Sequence, residues 1–492
     1  MTPEALGSLS HGELVDLVVS LVNRVGALEA ENKALRADNE VLRAEAGKNS
    51  GNSSTPPSRD PVAERARQAE DRRAKRQRAA GGKRRKPGKQ PGSPGTTLSM
   101  TDTPDEIVDH TPKVCTGCGA DLGDAPVSGQ VRRQVVDLPE VAPTVTEHRA
   151  QTRACRCCGA STTAAFPEAV RAPVSYGPRV RAIVAYLLAR QHIPTERTAE
   201  AMDDLFGVKI STGGIDAIYA EAGRRLGGFI AALVAMLRIL PVIHADETTD
   251  RIGTTNCWMH VVSTAAYTLI HASTTRGMDA VRAAGVLVGY RGVIIHDRLA
   301  LYWKLKAARH GICGAHLLRD LASVANLAGQ ESWATGLAGL LVEINAAADA
   351  ARAAGHKKLA PRLARTFSAR YDVLVARGHG ANPEPPPGTK RDALQRRSYN
   401  LAAAFETHKK PILAYMYNLD VAFTNNQGER DLRPVKLHRK ISSCFKSQAG
   451  AERFAAVRSY LSTTRKHDVP AIDALTRLFN GDPWMPPQPN AA

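Results

Sequence analysis

The sequence predicts an α/β chain of several domains whose largest part is a mixed sheet flanked by helices. Three observations carry this. Short β-branched runs alternate with helical periodicity between residues 239 and 321, a leucine heptad opens the chain, and two C-x-x-C pairs stand between them. At 492 residues with 43% apolar side chains the chain can bury cores, which excludes wholesale disorder. Only 5% of residues are aromatic, so those cores must lean on Ala, Leu and Val. Sixty-six Lys and Arg against 48 Asp and Glu leave a net charge of +18, a balance that favours a polyanionic partner, nucleic acid first. No run long and apolar enough for a membrane span occurs, nor a charged leader before an apolar run, so a cytoplasmic protein without membrane contact is expected.

Residues 1–47 read as a leucine zipper. Leu14, Leu21, Leu28, Leu35 and Leu42 recur every seven residues, with Val18, Val25, Asn32 and Asn39 at the complementary seam positions. Leu at one seam position and Val at the other favour a two-stranded coil, and a buried Asn fixes its register. A homodimer or higher oligomer is therefore expected. Residues 48–100 read as a basic, disordered linker: from Arg59 to Gly92 there are 13 Lys and Arg against 4 acids, a net of +9. Lys83, Arg84, Arg85 and Lys86 lie in this run and can displace counterions from DNA phosphates without reading sequence.

Residues 101–165 read as a zinc-binding module. Cys115 and Cys118, then Cys155 and Cys158, are spaced so that each pair can turn two thiolates toward one ion, and two pairs fill a tetrahedral shell. A closed shell of this kind is structural Zn2+ rather than a catalytic centre. Cys157 is a spare thiol, and the β-branched residues between Val131 and Val145 suggest a hairpin. Residues 166–235 are helical in pattern. Helices over 195–205 and 211–226, the second capped by Ser211 and joined by a short Gly-containing turn, suggest a helix-turn-helix.

Residues 236–475 hold the sheet. Strands are expected over 241–245, 258–263 and 267–272, then a helix over 278–288 and a strand over 292–296. The first three form an antiparallel meander, and the helix returns the chain to a parallel strand. Asp246 and Asp297 each follow an apolar strand. Two neighbouring strands that end in carboxylates can share a hard divalent cation such as Mg2+ or Mn2+, and a pair of such ions suits in-line phosphoryl displacement. Glu429 is the strongest third acid, in a stretch where Thr424 or Asn425 can cap a helix that Pro434 ends or kinks. Asp250, Asp320 and Asp431 are competing acids, and Glu247 competes with Asp246. A C-terminal tail follows over 476–492.

The chain resembles the DDE transposases of the insertion-sequence-66 type. The resemblance rests on the zipper with the polar segment 47–60, on the Gly- and Pro-rich stretch 88–95, and on the cysteine pairs. It rests further on Asp246 to Thr248, Asp297 to Tyr302, Cys313 and His316 with Arg319, and Asn425 to Arg430 followed by Arg439 and Lys440. It implies a ribonuclease-H-like fold, a metal-binding triad of Asp246, Asp297 and Glu429, and a helical insertion over about 322–420. It also implies that Arg430, Arg439 and Lys440 hold DNA phosphates. Cys313 and His316 resemble a C-x-x-H element, for which only two soft ligands are visible, favouring a structural role. Three positions depart from the family pattern: Arg298 where a small residue is usual, Gly314 where a bulky one is, and the segment 441–445.

The expected function is therefore that of an insertion-sequence transposase. It would bind double-stranded element ends and target DNA, hydrolyse a phosphodiester and transfer the strand, with accessory proteins of the same element as further candidate partners. Two rivals stand beside it: a non-catalytic zinc-containing DNA-binding protein derived from a transposase, and a nuclease that cuts without joining.

Overall fold

The computed structural model describes residues 98–167, 170, 172–388, 391 and 393–488, with 12, 19, 20, 22–29, 31, 66 and 70. Apart from those few, the zipper and the basic linker lie outside the described residues, as do Lys83, Arg84, Arg85 and Lys86. Among the heptad positions, Val25 and Leu28 are helical and exposed. The chain divides into two compact units, residues 62–144 and residues 145–492 with 1–61, so the expected module 101–165 is split between them.

In the first unit Val114 and Asp121 form an isolated antiparallel bridge across the Cys115–Cys118 turn. The hairpin expected from Val131 onward does not form. Val131, Val135 and Val136 are 89%, 94% and 69% exposed. Strand preference is largely a fit to a half-buried pleated surface, and these residues have no apolar surface to cover them.

In the second unit β1 (Thr152–Ala154) and β2 (Ser161–Thr163) form an antiparallel hairpin around the second cysteine turn. Helices α1 (Pro178–Ala189), α2 (Thr195–Phe206), α3 (Thr212–Arg225) and α4 (Gly227–Ile239) follow. Proline opens α1, where its missing N–H costs nothing. Gly207, at φ 62°, closes α2, and the Ser211 hydroxyl accepts from the Gly214 amide at 3.1 Å, as its position predicts.

The sheet comprises β3 (Val242–Ile252), β4 (Thr255–Ser263), β5 (Thr268–Ser273), β6 (Val293–His296) and β7 (Arg309–Ile312) in the order β5-β4-β3-β6-β7. The meander is antiparallel, and α5 (Met278–Ala284) returns the chain to β6, which runs parallel to β3. Three expectations need correction. Helix α5 stops at Ala284 because Gly285 turns left-handed at φ 76°. Strand β3 runs on to Ile252, so Asp246 lies inside it rather than at its end. Strand β7 was not foreseen, since Arg309, His310 and Gly311 lack a β-branched run.

Helix α6 (Gly314–Ala325) leads into the stretch read as an insertion, which α7 (Glu331–Ala353), α8 (Pro361–Gly380), α9 (Ala393–Thr407), α10 (Lys409–Ile412) and α11 (Ala414–Tyr417) then fill. Helices α12 (Asn426–Ser442), α13 (Gln448–Lys466) and α14 (Ala471–Phe479) complete the unit. Pro434 lies inside α12 and does not end it. Leu478 and Phe479 are buried, so the packed chain continues past the tail boundary expected at 475.

Strand alternation distributes the sheet between layers. Ile243, Ala245 and Ile294 join the core of α1 to α4, while Val293, Ile295 and Ile312 join that of the insertion helices. Met259, Val261 and Ile270 pack with Leu432 and Val435 of α12.

Candidate active site

Two strands and one helix bring the acids together. The parallel register pairs Val242 with Val293, Ile243 with Ile294 and His244 with Ile295. Two residues further along each strand stand Asp246 and Asp297. They continue one pleat parity, so both lie on the face shared by His244 and Ile295. Asp246 pairs across the other edge with Val261, whose side chain packs under α12. That helix therefore crosses the same face, carrying Glu429 in its first turn.

All three acids are half-buried. The Asp246 carboxyl is pushed up to about 7, by burial first and then by the charges of Glu247, Asp297 and Glu429. Like charges that raise the proton affinity of Asp246 are near it, and a cation would relieve them. Asp246 accepts from the Glu247 amide at 2.9 Å, and Asp297 from the Leu299 amide at 2.9 Å. The Glu429 Oε1 atom is buried without a hydrogen-bond partner. Carboxylates with free lone pairs are the ligands a hard ion such as Mg2+ or Mn2+ takes, but among the described residues the ligand atoms that meet within 4.8 Å are those of Cys313, His316 and Glu429, not of this triad.

The competing acids are engaged elsewhere. Glu247 points to the opposite face, where Arg276 donates to it at 2.5 Å and the Tyr302 hydroxyl at 2.7 Å. Burial and this carboxylate push the Tyr302 phenol well above its usual value. Asp320 pairs with Arg298, and Asp431 with Lys466 at 2.7 Å. Asp250 is fully buried 4.0 Å from His438.

Asn425 is the positioning residue that sequence reasoning misread. It sits at the N-cap of α12 but makes no capping bond with its side chain. Its amide instead donates to the Ala245 carbonyl at 2.9 Å, and its side-chain oxygen meets His244 Nδ1 at 2.9 Å. Its backbone N–H donates to the Cys313 sulfur at 3.1 Å. One buried side chain thus ties the start of α12 to the strand residue before Asp246. The available signal was an Asn four residues ahead of the third acid, which reads equally well as a cap.

Two of the departures from the family pattern have local explanations. Arg298 stands at φ 76°, a left-handed conformation that costs a non-glycine residue about 1 kcal/mol. Its ion pair with Asp320 holds it there. At Gly314 a Cβ would lie 2.2 Å from the Phe423 ring, so the ring occupies the space a side chain would need. The third, the segment 441–445, ends in buried Phe445, which bridges to Ile252 at the end of β3 and stacks on His438.

Arg430, Arg439 and Lys440 are exposed on α12, and among the described residues none of them makes an ion pair. The cysteine turns are built alike. Cys115 N–H donates to Ala120 and Cys155 N–H to Ala160, at 2.8 and 2.7 Å, and left-handed Gly119 and Gly159 close the turns. Backbone amides of Gly117 and Cys118 hold the Cys115 thiol below its usual value, and those of Cys158 and Cys157 do the same for Cys155. Thiols biased toward thiolate suit a zinc ion.

The fold and these residues define an α/β protein with a three-acid cluster on one sheet face and paired cysteine turns ahead of it. The profile described as Transposase IS66 family matches residues 173–453, more than half of the 492-residue chain. The zinc-finger binding domain of transposase IS66 matches residues 112–159, which contain all four paired cysteines. The chain belongs to the IS66 transposase family. No curated protein matches it. No helix among the described residues is long and apolar enough to cross a membrane.

Proposed function

We propose that this chain is a metal-dependent DDE transposase with a ribonuclease-H-like catalytic sheet, in which Asp246, Asp297 and Glu429 hold the divalent ions. The observation that carries the reading is the register: the parallel β3–β6 ladder, extended by two residues, sets Asp246 beside Asp297 under the helix that bears Glu429. Bound Mg2+ or Mn2+ would activate the attacking oxygen and stabilise the leaving one during phosphodiester hydrolysis and strand transfer. The protein's own part is placement. Asn425 fixes the helix against the strand, Arg276 and Tyr302 keep Glu247 out of the cluster, and Arg430, Arg439 and Lys440 hold DNA phosphates.

The four paired cysteines hold a structural Zn2+, α2 and α3 act as a helix-turn-helix on element ends, and helices over about 322–420 are an insertion between the second and third acids. The zipper assembles the chain, and the basic linker adds salt-dependent affinity for duplex DNA.

The test is cleavage of element-end DNA with Mg2+ or Mn2+. Asp246→Asn should bind ends as the parent does while cleavage and joining fall about a thousandfold or more, the loss of several kcal/mol of charge stabilisation. Cleavage at the parental rate by that variant would overturn the assignment, and absence of metal-dependent cutting in the parent would favour a DNA-binding protein without catalysis.

A further inference from the structure

Cys313, His316 and Glu429 meet at a point where two helices begin. Cys313 is the N-cap of α6, and His316 follows on its first turn, so the C-x-x-H spacing turns both side chains to one side. Glu429 stands on the first turn of α12, held there by the Asn425 anchor. One ligand atom from each of the three lies within 4.8 Å of the other two. The pair His316 Nδ1 and Glu429 Oε1 is 3.8 Å apart, within ion-pair reach only if the imidazole is protonated and too far for a hydrogen bond, and both atoms are buried without a hydrogen-bond partner. Two unpartnered buried polar atoms facing each other are costly unless something sits between them. The third member, fully buried Cys313, accepts the Asn425 N–H on its sulfur; burial pushes its thiol above the usual value, and that hydrogen bond offsets only part of the rise.

We infer that Cys313, His316 and Glu429 form a binding site for Zn2+ separate from the four-cysteine module. Sequence reasoning saw two soft ligands here; the fold supplies the third from a helix more than a hundred residues later. One thiolate, one imidazole and one carboxylate are a set that zinc takes with a fourth position open to water. Bonds of about 2.1 Å would bring the nitrogen and oxygen to roughly 3.4 Å, a small closure from their present separation. Mg2+ takes neither thiolate nor imidazole readily, so this site and the carboxylate cluster select different ions. Glu429 belongs to both. Zinc held here withdraws Glu429 from Asp246 and Asp297, so Zn2+ acts as an inhibitor of Mg2+-dependent cleavage; this consequence alone rests on the function proposed above.

The test uses the full chain, with Zn2+ counted after gel filtration and Co2+ as the spectroscopic probe. Cys313→Ser should lower bound zinc by one ion per chain and remove part of the sulfur-to-cobalt charge-transfer absorption, leaving the part due to the other cysteines. His316→Asn, at a position partly open to solvent, should weaken the same increment roughly tenfold or more, since losing even an outer partner of a ligand costs that much. Asp246→Asn should leave the increment in place. Circular dichroism confirms folding of each variant. Equal zinc content and equal spectra in the parent, Cys313→Ser and His316→Asn would overturn the site, as would loss of the increment in Asp246→Asn, which would assign the ion to the acid cluster. These readouts need no catalysis, so they stand apart from failure of the transposase reading. In an active preparation, micromolar Zn2+ should inhibit the parent and spare Cys313→Ser.

Discussion

The cysteine region and the acid-bearing sheet, each proposed above to hold an ion, position their side chains by opposite means. Among described residues from 98 to 167 none is buried, and the valines there face solvent. What order exists comes from turns and short strand bridges around each cysteine pair and from exposed hydrogen bonds such as those of Thr101 with Arg132 and Gln134. The sheet region has three apolar clusters, and its acids sit where strand register and helix packing put them. A segment without a core needs ligation to hold it, whereas a packed domain positions ligands before any ion arrives.

Zinc removal should show this contrast most strongly. Structural zinc can be worth on the order of 10 kcal/mol to a small module. A strong chelator should therefore expose the stretch 98–167 to limited proteolysis, while the main thermal transition of the sheet region moves little. Equal sensitivity of both regions to the chelator would break the comparison.

Replacing Asn425 sharpens it from the other side. Asn425→Ala would strip the Ala245 carbonyl and the His244 ring of their partner in a buried setting, at about 2–4 kcal/mol. Urea unfolding should report that loss in the sheet region, and limited proteolysis should find the cysteine region unchanged. An unaltered urea midpoint would mean that packing alone seats α12.

The smallest effect concerns Asp250. Burial lifts its carboxyl from 3.8 to about 6. A raised folded value means that the folded chain holds the proton more tightly than the unfolded one. That stabilisation is full below the unfolded value and is lost as pH rises through about 6. Asp250→Asn should therefore gain on the order of 1 kcal/mol over the parent near pH 8 and almost nothing near pH 3, below the unfolded value. Melting temperatures at both pH values decide it, and a gain independent of pH would show that the charge is not what costs stability.

Much of the fold was legible in particular residues. The strands around Ile243, Val261 and Ile294 announce themselves by β-branched runs, and Ser211 and Gly207 mark helix ends at the positions where capping chemistry requires them. The failures have physical causes as well. The run from Val131 has the composition of a strand without a surface to pack on. Gly285 ended a helix that periodicity carried to 288. Strand β7 is ordinary in composition and exists because β6 offers it an edge.

By itself the sequence determined the kinds of ligand available: four cysteines in two close pairs, two acids after apolar runs and a third in a polar helix start. Those follow from local spacing, which a chain carries whether or not it is folded. Only the tertiary structure decided which acids face one another, that Glu247 turns away to Arg276 and Tyr302, and that Asn425 clamps a helix rather than capping it. It alone set Glu429 against Cys313 and His316. Contacts between residues more than a hundred positions apart depend on strand register and helix packing, and no local pattern encodes them.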